Sequence, residues 1–306
     1  MRMQMKWVAA AVVALAASMS AQAAPTFADV VVLMDESGSM SGEQTWISNQ
    51  ITVLNSGLVG EGLSPNQYGL IGFGASSGTS GADLLRGFDV GGTGAGTPAS
   101  PGTFGTAAQF QTAAGNLVIN GATEDGWSAI NYANTLAGRA GAARNYILVT
   151  DEDRDNSNGG LNYAGVLGSM TASNILLNAI VNQAFFCDNT RALGVAVNSS
   201  NQTIGFLDDG SGGYTQCNGL ITYGSGFGTT KGDYVDMALA TGGAAWDLNL
   251  LRAGGDLADS FTAAFIDWKV EEIKNQDPTP VPLPGTLALM GVGLVALGAA
   301  RKRMAG

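Results

Sequence analysis

The chain has 306 residues, with 14 Lys and Arg against 25 Asp and Glu, a formal net charge of −11, and no histidine. The missing imidazole excludes a Ser-His-Asp triad, a His-ligated zinc and His acid–base chemistry, and the acidic balance argues against nucleic acid as a partner. The 45 glycines scatter Gly pairs along the chain, but no P-loop or dinucleotide fingerprint follows a strand.

In chain order, Arg2 and Lys6 precede an apolar run at 7–17, and Ala21-Gln22-Ala23 supplies a small-residue cleavage pattern. Residues 1–23 therefore read as a secretory signal peptide cut before Ala24. The next apolar run, Val30-Val31-Val32-Leu33-Met34, has buried-strand character and stops at Asp35, after which Ser37 and Ser39 follow at alternate positions in a turn built around Gly38. One acid and two hydroxyls converging at the carboxyl end of a strand offer only oxygen, which suits Mg2+, Ca2+ or Mn2+ and not zinc. The same residues also suit a plain turn and helix start.

A helix is expected at 43–58, a second strand at 66–73 and a short edge strand at 84–90 inside a Gly-, Ser- and Thr-rich insertion at 74–106, which reads mainly as flexible loop. A loop through Thr123 leads into a helix at 126–137. Asn145-Tyr146-Ile147-Leu148-Val149-Thr150 forms another buried strand ending at Asp151. The acidic loop at 151–160 has the first, third and fifth acids of a calcium loop but Asn156 and Asn162 where its Gly and Glu belong. A helix at 161–170 and a strand at 175–181 follow. A second insertion, 185–231, holds a hairpin of 193–197 with 203–207 and both cysteines, Cys187 and Cys217. In an exported chain these two should pair as a disulfide. Because the insertion leaves the carboxyl end of a strand, it is expected on the face where open parallel sheets bind ligands, with 192–214 outside the sheet core and able to steer partner choice. A helix at 234–240, a strand at 244–248 and a helix at 255–268 complete the domain. This alternation predicts an α/β, doubly wound, mainly parallel six-stranded sheet with one antiparallel edge strand over residues 24–274. The neighbouring acids Asp208-Asp209 and Glu271-Glu272 read as solvated surface.

The Asp35-x-Ser37-x-Ser39 pattern resembles the metal-ion-dependent adhesion site (MIDAS) of von Willebrand factor A (VWA) domains. That resemblance requires a Thr in a later loop, matched by Thr123 in Gly121-Ala122-Thr123, and an Asp ending another strand, matched by Asp151 in Thr150-Asp151, with Glu152 where the family has Gly. Ala240-Thr241-Gly242-Gly243 resembles the turn before the last VWA strand. The resemblance implies that Ser37, Ser39 and Thr123 are direct ligands to a divalent cation, Mg2+ or Ca2+, and that Asp35 and Asp151 act largely through water. The cation would keep one position for an acidic oxygen of a protein or matrix ligand. The function implied is divalent-cation-dependent adhesion by a non-enzymatic surface or matrix protein. The alternative is a structural biofilm or exopolysaccharide matrix component in which the metal only stabilises the fold.

At the far end, a Pro-rich spacer at 275–285 precedes an apolar run at 286–300 and Arg301-Lys302-Arg303. Fifteen helical residues span ~22 Å, short for a hydrocarbon core of ~30 Å. Val281-Pro282-Leu283-Pro284-Gly285 resembles the Val-Pro-Leu-Pro-Ala variant of the PEP-CTERM sorting signal of Gram-negative bacteria. This implies transient inner-membrane anchoring through the short helix at 286–306, processing by an exosortase-type enzyme, and delivery to the cell surface or extracellular matrix. Without the two end segments, 9 basic residues face 25 acids, a balance of about −16, which concentrates cations near the chain.

Overall fold

Alternate residues of β1 (Ala28–Asp35) face opposite sides of the sheet, and none of the eight is exposed. Val30, Val32 and Met34 join one core layer, and Val31 and Leu33 the other. A strand apolar on both faces belongs in the middle of a covered parallel sheet. In the computed structural model, which describes residues 24–76, 83–94, 96–121 and 123–277, β1 lies between β2 (Gln67–Ser76) and β4 (Ala143–Thr150), parallel to both. The signal peptide at 1–23 and the apolar tail expected at 286–306 lie outside the described residues, as do residues 278–285 of the spacer.

The parallel core continues from β4 to β5 (Ile175–Val181) and β12 (Ala244–Asp247), while β3 (Asp83–Gly87) closes the other edge antiparallel to β2. These are the six strands expected. The sheet nevertheless has nine, because β8 (Gly194–Val197), β9 (Thr203–Asp208) and β10 (Tyr214–Cys217) add antiparallel beyond β12, giving the order β10-β9-β8-β12-β5-β4-β1-β2-β3. A separate three-stranded sheet joins β6 (Gln183–Cys187), β7 (Thr190–Ala192) and β11 (Ile221–Gly226) in the order β11-β6-β7. The cysteine-bearing insertion is thus a lateral extension of the sheet. Its segment 192–214 is not outside the core as expected: Val195, Ala196 and Phe206 are fully buried, and Phe206 stacks on Trp246 at 5.1 Å. The Cys187–Cys217 disulfide ties β6 to β10 and so links the small sheet to the edge of the large one.

Helices cover both faces. On one side lie α1 (Ser41–Gly60), α2 (Ala107–Ala114) and the long α7 (Gly255–Asn275), contributing Ile47, Ile51, Phe110, Phe261 and Phe265. On the other lie α3 (Gly126–Ala133), α4 (Tyr163–Ala172) and α5 (Asp236–Ala240), the last entered through a π-helical turn at Lys231–Val235. The short α6 (Leu248–Arg252) follows β12 directly. The segment 83–106 is better tied down than a flexible loop: bridges join Phe88 to Pro98 and Asp89 to Thr103, and Phe88 and Val90 are buried.

One polar network runs through the core. The Lys269 ammonium, fully buried, donates to Asn145 Oδ1 at 2.6 Å and pairs with Glu272 Oε2 at 3.0 Å; Asn178 donates to Glu272, and Trp246 Nε1 donates to Asn178. Burial pulls the Lys269 ammonium below its ordinary range against the pull of Glu272. Glu272 is therefore a buried ion-pair partner and not the solvated acid expected. Just beyond it, Gln276 donates to the Arg144 and Asn174 carbonyls, and Asn174 donates to the Asp277 carbonyl. The described chain thus ends at the amino-terminal edge of the parallel strands.

Candidate metal centre

The carboxyl-terminal edge of β1 and β4 carries the predicted site. Asp35 is wholly buried at the end of β1, where its Oδ1 accepts from the Ser37 amide at 2.7 Å and its Oδ2 from the Thr150 hydroxyl at 2.7 Å. Above it, Ser37 Oγ and Ser39 Oγ are 3.2 Å apart, and Ser39 Oγ donates to Asp151 Oδ1 at 3.0 Å. Residues 112 positions apart in sequence therefore meet because β1 and β4 are neighbours in the sheet.

The loop carrying Thr123 passes the same rim: a Cβ on Gly74 would stand 3.4 Å from both the Asp35 Oδ1 and the Thr123 carbonyl oxygen. Ser37 forms a bridge with Gly121, whose amide donates to the Glu36 carbonyl at 3.2 Å. The approach is close: a Cβ on Gly121 would stand 1.5 Å from the carbonyl oxygen of Gly74, itself at φ +81°. Only glycine fits at that crossing. Asp125 then caps α3 by accepting from Ser128 at 3.3 Å, and Arg154 holds Asp125 at 2.7 Å while lying 4.2 Å over the Trp127 ring.

The electrostatics are dominated by carboxylates. Burial pushes Asp35 up to about 6, outweighing the hydrogen bonds from the Ser37 amide and the Thr150 hydroxyl. Glu36, buried beside it, is pushed up to about 7 despite the Val118 amide and Arg86, which stands 2.8 Å away. Glu124 is raised furthest, first by burial and then by Asp35, Glu152 and Asp155. Of these buried acids, Glu36 and Glu124 were not singled out from the sequence.

Arg252 is the other residue missed. From the end of α6 its guanidinium pairs with Asp151 Oδ2 at 2.9 Å and Glu43 Oε1 at 2.7 Å, and donates to the Ser39 carbonyl at 3.1 Å. It lies 101 positions from Asp151, with no local signal to connect them.

The oxygens present fit a small hard cation. Neighbouring ligands of an octahedral Mg2+ at ~2.1 Å are roughly 3.0 Å apart, close to the observed 3.2 Å and 3.0 Å between Ser37, Ser39 and Asp151 oxygens. Asp35 supports this turn from beneath through the Ser37 amide and anchors to β4 through the Thr150 hydroxyl. The acids of the 151–160 loop, by contrast, do not converge as in a calcium loop. Asp151 turns to Ser39 and Arg252, Asp153 accepts from Thr229 at 2.8 Å, and Asp155 accepts from the Glu124 amide at 2.8 Å.

Comparison with known proteins locates one family signature: residues 280–303 match the PEP-CTERM protein-sorting motif. That motif goes with export and membrane-associated sorting. No curated protein matches the chain. Among solved structures, a von Willebrand factor type A protein from Catenulispora acidiphila is similar at 17% identity and a TM-score of 0.34, covering 51% of this chain and 33% of that one. The SpRpn10 VWA domain is similar at 12% identity and 0.34, covering 51% and 75%. Proximal thread matrix protein 1 from the mussel byssus, with a zinc-occupied MIDAS motif, is similar at 16% identity and 0.34, covering 53% and 39%. The chain thus spans about a third of the first of these proteins. Among the described residues no helix is long and apolar enough to cross a membrane. The chain is a mixed α/β protein, with a mostly parallel central sheet between helices, that carries a PEP-CTERM protein-sorting motif after its folded region.

Proposed function

We propose that this is an exported surface or matrix protein of a Gram-negative bacterium that binds its partner through a divalent cation held by Asp35, Ser37, Ser39, Thr123 and Asp151. The observation that carries this reading is the run of side-chain oxygens Ser37–Ser39–Asp151 at 3.2 Å and 3.0 Å above a buried Asp35. Mostly neutral hydroxyls leave a bound cation under-neutralised. It then stays attractive to an acidic oxygen from a protein or matrix ligand, which supplies adhesion without chemistry on the ligand. The sorting motif supports delivery to the envelope, with an exosortase-type enzyme as the processing partner.

Arg252 argues against a metal that merely holds the fold together. The rim already has one guanidinium shared by Asp151 and Glu43, so these two carboxylates are held in place by protein contacts. Replacing Asp151 with Ala removes one of the two acids in the set while β4 beneath it stays packed. The test is a pull-down of matrix or cells with and without chelator, alongside Mg2+ and Ca2+ titration of wild type and Asp151→Ala. The reading requires metal-dependent capture that the folded variant loses. Wild-type capture that chelator leaves undiminished, or capture by folded Asp151→Ala equal to wild type in the presence of metal, refutes it.

A further inference from the structure

The site at Asp35 leaves one buried acid unexplained. Glu124 is 1% exposed, and among the described residues no amide, hydroxyl or cationic donor reaches either of its carboxylate oxygens; its one neighbour in hydrogen-bond range is the Glu152 carboxyl, which can bond to it only by sharing a proton. Its backbone is fixed by exchange with Asp155: the Glu124 amide donates to Asp155 Oδ2 and the Asp155 amide donates to the Glu124 carbonyl, both at 2.8 Å. The side chain is thereby aimed at Glu152 and Asp155, and one carboxylate oxygen from each of the three lies within 4.8 Å of the others.

No ion pair reaches any of these three acids among the described residues. The two arginines of this region are committed elsewhere, Arg154 to Asp125 and the Trp127 face, and Arg252 to Asp151 and Glu43. A buried carboxylate without donor or counter-charge is costly. Two further acids pointing at it raise that cost unless a cation sits among them. We propose that Glu124, Glu152 and Asp155 form a second cation site, distinct from the one at Asp35, that takes a hard divalent ion of the Ca2+ type.

The donor set favours Ca2+ over Mg2+. Three carboxylates open to water on one side suit the irregular shell of six to eight oxygens at ~2.3–2.6 Å that Ca2+ accepts, whereas Mg2+ demands near-octahedral order at ~2.0–2.1 Å. The three acids are graded from inside to outside, with Glu124 buried, Glu152 half-buried and Asp155 exposed. Water completes the shell from the open side. The loop at 151–160 thus contributes Glu152 and Asp155 to this site, and not the acids at its first and third positions.

The test is Ca2+ binding to the chelator-stripped full chain, counted by equilibrium dialysis and titration calorimetry. Wild type should bind one ion that Glu152→Gln removes or weakens at least tenfold and that Asp151→Ala leaves in place. Asp155→Asn, which keeps an acceptor for the Glu124 amide, should weaken the same ion; it is read instead if circular dichroism shows Glu152→Gln unfolded. A second ion lost only with Asp151→Ala belongs to the proposed adhesion site, and its absence with both Ca2+ and Mg2+ refutes that reading without touching this one. Ca2+ binding unchanged in Glu152→Gln and Asp155→Asn, or no ion beyond the one lost with Asp151→Ala, overturns the inference.

Discussion

Arg252 should oppose cation binding, and removing it should tighten the site. Its guanidinium holds Asp151 Oδ2 at 2.9 Å, while Oδ1 of the same carboxylate faces Ser39 at 3.0 Å. A cation on the Ser39 side and the guanidinium would thus stand on opposite sides of one carboxylate, a separation on the order of 6 Å. A divalent ion and one positive charge at ~6 Å repel by ~1.4–2.8 kcal/mol for an effective dielectric of roughly 80 to 40, or about 10- to 100-fold in Kd. Arg252→Gln should therefore lower the Mg2+ Kd by that factor at an ionic strength of ~0.01 M, where screening is weak. The metal-free fold should lose about 1–3 kcal/mol, because the Arg252 side chain is 30% exposed but its partners Glu43 and Asp151 are buried and lose their donor. Titration calorimetry with Mg2+, paired with thermal melting in chelator, measures both effects. Unchanged or weaker Mg2+ binding by the folded variant refutes the assignment of Asp151 as a ligand facing away from Arg252.

Cation affinity should also fall as pH drops through about 6, because Asp35 must be ionised to support the site and burial has raised it to that value. The same shift acts on stability with a definite sign: the folded state holds the Asp35 proton more tightly than the unfolded chain. The metal-free protein should therefore be more stable below pH ~4 with respect to this group and lose that contribution as pH rises through about 6. Mg2+ titrations and metal-free melting at pH 5 and 7.5 check both directions. Reducing Cys187–Cys217, which closes 30 residues, should cost ~3–4 kcal/mol in the chain-entropy account, read as a lower melting temperature with reductant that a Cys187→Ala/Cys217→Ala variant reproduces without it. Glu272→Gln should destabilise the fold by up to ~3–5 kcal/mol in urea titration, because it strips the counter-charge from a fully buried Lys269. A loss under ~1 kcal/mol would mean that Lys269 sheds its proton in the variant.

What the sequence made legible followed burial on both faces. The runs ending at Asp35 and Asp151 have apolar centres, Val30 to Met34 and Tyr146 to Val149, so their strand character and central place are readable without knowing their neighbours. Strands β10 and β11 lack such a run. Tyr214–Cys217 and Ile221–Gly226 are mostly half-exposed or exposed, and they are held by pairing with β9 and β6 and by a disulfide, all of which are long-range. Helix α2 is Ala- and Gln-rich with little apolar periodicity; the usable cue was the capping box of Thr106 with Gln109. Of the site, Asp35, Ser37 and Ser39 were readable because one turn carries them. Arg252 and Glu124 were not: a lone arginine ending a short helix, and an acid beside Thr123, look like ordinary surface residues until the sheet brings Asp151 and Asp155 to them.

The position of the chain's exit gives the molecule a direction. Asp277 is held by Asn174 just before β5, at the edge where the parallel strands begin, whereas Asp35 and Asp151 stand where they finish. Phe27, leading into β1, is bonded to Ala143 at the same starting edge. Any tether that follows residue 277 therefore pulls on the base of the domain, and the rim with its oxygens points away from whatever surface holds the tether. Tension applied between tether and partner would run along the strands, loading the hydrogen bonds between neighbours together in shear instead of peeling them apart one at a time. A domain hung this way turns the rim of Asp35 and Asp151 to the surroundings and keeps its parallel strands in line with the load.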